Sequence, residues 1–188
     1  EADSYPATIA GDRSYTLTTK AGFIQCDEAG WQGELLSRQS DLELDGEYGG
    51  CSATALKYPT LAFANSCRNT LHVDSGGPPR VAQLGISCEE GVDTIEFKTY
   101  LNKELKTLLC TTKVRPQQGL ERVALEGLGT GPERTVSVET EAHGVEYEQS
   151  GKGCAKETRT DGSIVSEATL QGTDQSEQQI GLFVGEGG

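Results

Sequence analysis

The chain has 188 residues, 35% hydrophobic and 6% aromatic, with 24 glycines and a formal net charge of −13. That charge repels phosphate backbones and anionic bilayers, which excludes nucleic acid as a partner, and no apolar run approaches the roughly 18 residues of a membrane span. The length suits one sizeable domain spanning residues 1–188, and the low apolar content leaves one face of each sheet in water.

Residues 1–11 carry Tyr5, Pro6, Ala7, Thr8 and Ile9 in succession, a proline-containing extended segment that reads as an arm or an edge strand. Residues 14–19 alternate, with Tyr15, Leu17 and Thr19 on one face of a half-buried strand. Residues 23–26 continue as a strand, 27–30 read as a turn and 31–35 as the returning strand. Residues 41–45 alternate strictly, so Leu42 and Leu44 point inward and Asp41, Glu43 and Asp45 share the outer face. Gly46, Gly49 and Gly50 then break the pattern before Cys51.

Residues 70–73 and 81–88 form two strands of a hairpin around Ser75-Gly76-Gly77-Pro78-Pro79, the strongest turn signal in the chain. Residues 94–100 and 108–114 are further strands. Between them Asn102-Lys103-Glu104-Leu105-Lys106 is the one run that favours a helical turn. Residues 122–125 read as a strand. Residues 135–142 alternate with Val136, Val138, Thr140 and Ala142 on one face, and 145–148 are expected to pair back on them across His143-Gly144. Residues 163–171 and 180–184 complete the set. Short strands separated by turns predict an all-β fold, a disulfide-stapled antiparallel β-sandwich, with a β-barrel as the alternative.

The chain has no methionine and begins at Glu1, from which a cleaved secretory leader and a secreted, extracellular or cell-surface location are expected. Its six cysteines, Cys26, Cys51, Cys67, Cys88, Cys110 and Cys154, then form three bridges of an oxidised framework. Six cysteines allow fifteen pairings. Local closure favours Cys51 with Cys67 and Cys88 with Cys110, leaving Cys26 with Cys154. The rival, Cys67 with Cys88, follows if the turn at Gly76 and Gly77 closes its hairpin.

Only His72 and His143 are available to a metal, no C-x-x-C occurs, and no G-x-S-x-G marks a nucleophile, so no metal, cofactor or catalytic residue is assigned and no enzyme is expected. Asp41, Glu43 and Asp45, and likewise Glu139 and Glu141, share strand faces in a spacing that suits calcium or a glycoside. Exposure on the wet face of an amphipathic strand explains them equally well. Trp31 reads as a core anchor, with a sugar-stacking platform as the other reading.

Tyr5-Pro6-Ala7-Thr8-Ile9, Gly49-Gly50-Cys51, Asn65-Ser66-Cys67 before Leu71-His72-Val73, Ile86-Ser87-Cys88, Cys110 before Val114-Arg115-Pro116-Gln117, Gly153-Cys154 and Ile180-Gly181-Leu182-Phe183-Val184 occur in this order. Together they resemble an uncharacterised family of secreted six-cysteine all-β proteins from soil actinobacteria. The resemblance implies an exported β fold and carries no activity with it.

A proline-containing N-terminal arm and a polar, glycine-ending tail are segments that a neighbouring subunit can hold in place. The expectation is therefore a non-enzymatic extracellular structural protein that self-associates into a homo-oligomer or filament, with the arm from Tyr5 to Ile9 or the last strand adding to a neighbour's sheet edge. The alternative is a monomeric secreted binding module for carbohydrate or calcium.

Overall fold

The computed structural model describes residues 2, 5–73, 80–89 and 93–184. Its strands are β1 (Ala7–Thr19), β2 (Gly22–Leu35), β3 (Asp41–Ala53), β4 (Tyr58–Phe63), β5 (Cys67–Val73), β6 (Arg80–Cys88), β7 (Ile95–Tyr100), β8 (Leu108–Val114), β9 (Gln117–Leu128), β10 (Thr135–Ser150), β11 (Glu157–Thr173) and β12 (Gln179–Ile180). A single 3-10 turn, Gly131–Glu133, is the one helical segment among the described residues. The run from Asn102 to Lys106 is loop, its helix formers outweighed by the short span between β7 and β8.

The strands close on themselves. β1 pairs with β2, β2 with β3, and β3 with β5 through residues 41–45 but with β4 through Ser52 and Ala53. β4 and β5 therefore lie end to end as one interrupted staff of the wall. The same holds for β6 followed by β7 and for β8 followed by β9, because β5–β6–β9 pair in the upper half and β4–β7–β8 in the lower. β10 takes β9 on its first half and β8 on its last four residues, β11 follows, and β11 returns to β1. The result is an eight-staved antiparallel barrel of up-and-down connectivity, not a sandwich. A sandwich needs two open sheets packed face to face, whereas here each stave bonds its chain neighbour and the last bonds the first.

Where three neighbouring staves are interrupted, side chains replace the missing ladder bonds. Glu146 N–H donates to Gln117 Oε1 at 2.9 Å while Gln117 Nε2 donates to the Glu146 carbonyl at 3.1 Å, so one side-chain amide stands in for a peptide. Asn65 Nδ2 donates to the Thr94 carbonyl at 2.7 Å and the Ser66 hydroxyl to Asp93. Leaving these backbone groups unpaired would cost about 1–3 kcal/mol each where they are buried.

Two expected turns are bulges inside longer strands. Residues 27–30 lie within β2, where the register against β1 shifts between Arg13 and Tyr15 and the buried positions change parity from Cys26 to Ala29. His143-Gly144 lies within β10, which does not fold back: residues 145–150 run on down β11 after a register shift, with Gly144 at φ +77°. An extra residue in one strand breaks the apolar alternation as a turn would, while the ladder continues. Gly46, Gly49 and Gly50 likewise lie inside β3.

The disulfides are Cys26–Cys51, Cys67–Cys88 and Cys110–Cys154. The favoured pairings Cys51 with Cys67, Cys88 with Cys110 and Cys26 with Cys154 are corrected, and the rival Cys67–Cys88 is the one that forms. Cross-strand register decides: Cys26 faces Cys51 across β2 and β3, and Cys67 faces Cys88 across β5 and β6. Cys110 then ties β8 to the β10–β11 connection. The turn expected at residues 75–79 and the final residues of the tail lie outside the described residues.

The core lines the barrel along its whole length. Ile9, Leu17, Leu44, Leu71, Val123, Val138 and Ile164 point inward, while outward positions such as Glu139, Glu141 and Glu167 are exposed. This is apolar inside and charged outside, the reverse of a lipid-facing barrel wall. No helix among the described residues is long and apolar enough to cross a membrane.

Candidate functional site

Trp31 is buried to 1% exposure, on a rung where its wall neighbours are Gly11 on β1 and Gly46 on β3. With no Cβ on either side, the indole has room to lie along the inner wall. Below it Tyr15, Tyr48 and Phe97 form an aromatic plug, with Tyr15 stacked on Phe97 at 5.9 Å between ring centroids and Tyr48 edge-on to both. Burial, and then the neighbouring Tyr48, push the Tyr15 phenol above its ordinary pKa, partly opposed by Arg13, so it stays neutral.

The plug divides the interior. Above it, at the end where β1 begins, a cavity of about 380 Å³ opens at the mouth. Its wall is aliphatic: Ile9 from β1, Leu42 from β3, Leu71 from β5, Val136 and Val138 from β10, and Leu170 from β11. The segment after β12 crosses the same end, held by a hydrogen bond from Leu182 N–H to the Arg134 carbonyl at 2.9 Å, and contributes Leu182 and Val184. Arg38 and Arg80 line the space as well, placing two guanidinium groups in the mouth of a strongly acidic chain.

Below the plug, a second space of about 250 Å³ is bordered by hydroxyls and an amide. Gln149 Nε2 donates to Thr19 Oγ1 at 3.1 Å and to Thr112 Oγ1 at 3.0 Å. Thr60 and Thr99 share a hydrogen bond at 3.1 Å. The upper cavity is therefore built for apolar surface and the lower one is partly satisfied by the protein itself.

Arg13 lies between them, 4% exposed, its Cζ 4.6 to 4.9 Å from the ring centroids of Tyr15, Trp31 and Tyr48. Sequence reasoning passed over it. The signal was present, because Arg13 has the same strand parity as Tyr15 and Leu17, which put a charge on the inward face.

Of the candidate residues singled out from sequence, Ile9 lines the cavity and Trp31 lies at the plug, and the rest lie elsewhere. Of the expected arm, Ala7, Thr8 and Ile9 belong to β1, with Thr8 and Ile9 bonded to β2 on one side and β11 on the other, and Tyr5 and Pro6 precede it. The Asp41 carboxylate accepts from His72 Nδ1–H at 2.5 Å, and that hydrogen bond holds the Asp41 carboxyl below its usual pKa. Glu43 and Asp45 both engage Arg68, and Glu141 meets Arg122 and His143. These carboxylates are engaged by neighbouring arginine and histidine side chains on the outer wall and do not converge with one another on a common point. Trp31 is a core residue.

Compared with protein-family models, with curated proteins and with solved structures, this chain has no match.

Proposed function

We propose that this protein is an extracellular binding barrel that carries or captures a small, largely apolar molecule in its mouth. The aliphatic cavity of about 380 Å³ is the observation that carries the reading. Ligand sites are typically concave spaces of roughly 300–1,000 Å³ with apolar walls and a few polar groups, and an eight-stranded barrel is wide enough either to fill itself with side chains or to hold one small ligand. Here an aromatic plug fills the middle, a smaller space bordered by hydroxyls and an amide lies below it, and the aliphatic cavity lies above it. Three intramolecular disulfides support an oxidising, extracellular setting.

The subunit-assembly reading has less support. Strand addition needs an edge with unpaired N–H and C=O groups, and Thr8 and Ile9 spend both of their edges inside the barrel. The carbohydrate or calcium reading lacks a converging set of carboxylates or an exposed aromatic platform among the described residues.

Titration with a neutral fluorescent naphthylamine tests the proposal. The wild-type protein is expected to take one equivalent with a blue-shifted, saturable signal, and Val136→Trp, which fills the cavity from its wall, is expected to abolish the signal while leaving the far-ultraviolet spectrum intact. Equal binding by both proteins would place the probe elsewhere and sink the reading.

A further inference from the structure

Besides Arg134 Nε and Gln149 Oε1, five side-chain atoms among the described residues are buried without a hydrogen-bond partner, and all five lie at or around Arg13: Arg13 Nε and Nη2, Trp31 Nε1, Thr140 Oγ1 and Ser166 Oγ. Their residues are 4%, 1%, 3% and 1% exposed, respectively. Buried polar groups in native proteins are nearly all paired, because an unpaired one forfeits about 1–3 kcal/mol and a charged one more. Among the described residues no carboxylate pairs with Arg13. Its three aromatic neighbours stabilise the cation through their faces, but a π face does not accept the in-plane N–H bonds of the guanidinium edge.

The identity of the two unpartnered nitrogens is chemically specific. Nε and Nη2 lie on one edge of the guanidinium, and their N–H bonds point the same way in the plane, the spacing that a carboxylate accepts with both oxygens at once. Trp31 Nε1 is a donor only, on a ring that the guanidinium covers at 4.7 Å. Ser166 and Thr140 are directly opposed on β11 and β10 and both face inward, adding two hydroxyls that can donate.

The wall connects this layer to the mouth. Val138, which lines the cavity, is in register with Ala168, and Ala168 with Arg13, so cavity wall and guanidinium share one rung of three adjacent staves; Arg13 is not itself part of the cavity's lining, and a ligand reaches it by passing the Val138 and Ala168 side chains. The residue between them is an alanine, the smallest side chain available there other than glycine.

We propose that the ligand of the mouth cavity is an apolar monocarboxylate bound head first, its carboxylate on the Nε/Nη2 edge of Arg13 and its hydrocarbon portion against the aliphatic wall above. This rests on the binding-barrel reading and assigns the chemical class of its ligand. The chain is strongly negative overall while Arg38 and Arg80 line the mouth, so a carboxylate entering there passes two guanidinium groups and, on reaching Arg13, meets a cation that no carboxylate among the described residues pairs.

The test compares decanoate, decanol and acetate by calorimetry on the intact, oxidised protein, with Arg13→Met and Trp31→Phe as variants. Wild-type is expected to bind decanoate about tenfold or more tighter than decanol, as a charge-assisted bidentate pair predicts, and Arg13→Met to lose that preference while still binding decanol. Trp31→Phe, which deletes the indole N–H but keeps the ring, is expected to weaken decanoate and leave decanol unchanged. Decanoate and decanol binding equally to wild-type would overturn the carboxylate assignment and leave the apolar site standing. Binding of neither, with the neutral naphthylamine also silent, would overturn the binding-barrel reading itself. Acetate binding as tightly as decanoate would overturn head-first entry from the mouth, since no hydrocarbon wall would then contribute. Should Arg13→Met fail to fold, the Trp31→Phe comparison and the ionisation of carboxyl-labelled decanoate in wild-type decide: a bound carboxyl that titrates at its solution pKa counts against Arg13.

Discussion

Cys67 and Cys88 face each other across β5 and β6 on the rung next to the line where three consecutive staves of the barrel are interrupted. Cys26–Cys51 has a different setting, since β2 and β3 pair on both sides of it from Ile24 to Gly33. Removing Cys67–Cys88 as the double alanine variant releases a loop of 21 residues from the denatured-state constraint and is expected to cost about 3 kcal/mol. The local consequence distinguishes it from Cys26–Cys51, which closes 25 residues and has a similar chain-entropy effect. Native-state amide exchange is expected to accelerate at residues 64–68 and 93–96 in the Cys67/Cys88 variant, and not in the Cys26/Cys51 variant. Equal exchange profiles would mean that the interruption needs no staple.

Gly144 has φ +77° at the point where β10 shifts register against β11. An alanine there must adopt the left-handed region, and Gly144→Ala is expected to lower stability by about 1–2 kcal/mol in urea titration. A turn tip in the same sequence would show a similar loss, so the decisive measurement is the cross-strand contact: nuclear Overhauser effects between Tyr147 and Arg159 are expected in the wild-type protein and exclude a hairpin at His143-Gly144.

That position also explains what the sequence could and could not convey. Alternation placed Tyr15, Leu17 and Thr19 of β1, Leu44 of β3, and Val136, Val138, Thr140 and Ala142 of β10 correctly on the inward face, because burial on one face imposes period two. At Asp27-Glu28 and at His143-Gly144 the period slips by one residue, and one strand carrying a bulge has the same local pattern as two strands carrying a turn. Cutting β2, β3 and β10 at those points yields short strands, and short strands suggest a sandwich. Restored, β2, β3, β10 and β11 have 14, 13, 16 and 17 residues, long enough for the meander to close. The favoured disulfide pairings failed because they followed closeness in sequence rather than cross-strand register, which sets Cys26 opposite Cys51 and, as the rival reading had it, Cys67 opposite Cys88. The candidate site was less legible still: its cavity is formed by eight staves converging, and Arg13 was hidden by the assumption that a charged residue faces water.

Gln149 joins β10 to the lower interior through its two bonds to Thr19 and Thr112. Gln149→Ala leaves two buried hydroxyls to find other partners and is expected to destabilise the protein by about 2–3 kcal/mol. Gln149→Glu tests whether the amide N–H groups matter or only the volume. Neutral glutamic acid at low pH keeps one O–H donor and is expected to recover part of the loss, whereas Gln149→Met, of similar volume and without a donor, is expected to recover none; wild-type stability in the methionine variant would count against the hydrogen-bond assignment.

Asp161 accepts from Arg159 Nε at 2.8 Å and from the Tyr147 hydroxyl at 3.2 Å. The Arg159 hydrogen bond, more than any other influence, lowers its carboxyl to about 2. A folded-state pKa below the unfolded value of roughly 3.9 contributes stability that is complete above that value and lost as pH falls from there toward 2. Asp161→Asn is therefore expected to lower the urea midpoint at pH 7, with the difference from wild-type shrinking between pH 4 and pH 2. A constant difference across that window would assign the effect to packing rather than to the carboxylate. The group is solvent-exposed, so the change is expected to be small and to diminish in salt.

Arg13 sets function against stability within one side chain. A buried guanidinium without a carboxylate partner retains much of its desolvation cost, and replacing buried charges by apolar residues of similar volume is often neutral or stabilising by about 1–4 kcal/mol. Arg13→Met removes Nε and Nη2, two of the five orphaned atoms, and keeps a chain of comparable length against Trp31 and Tyr48. The variant is expected to unfold at a higher urea concentration than the wild-type protein when both are free of carboxylate ligand. Adding decanoate is expected to raise the wild-type midpoint as its concentration exceeds the dissociation constant, because a ligand that binds only the folded state stabilises it by mass action, and to raise that of Arg13→Met much less. A purely structural arginine gives the opposite signature: Arg13→Met would be less stable than wild-type with or without decanoate, and the fatty carboxylate would shift both proteins alike.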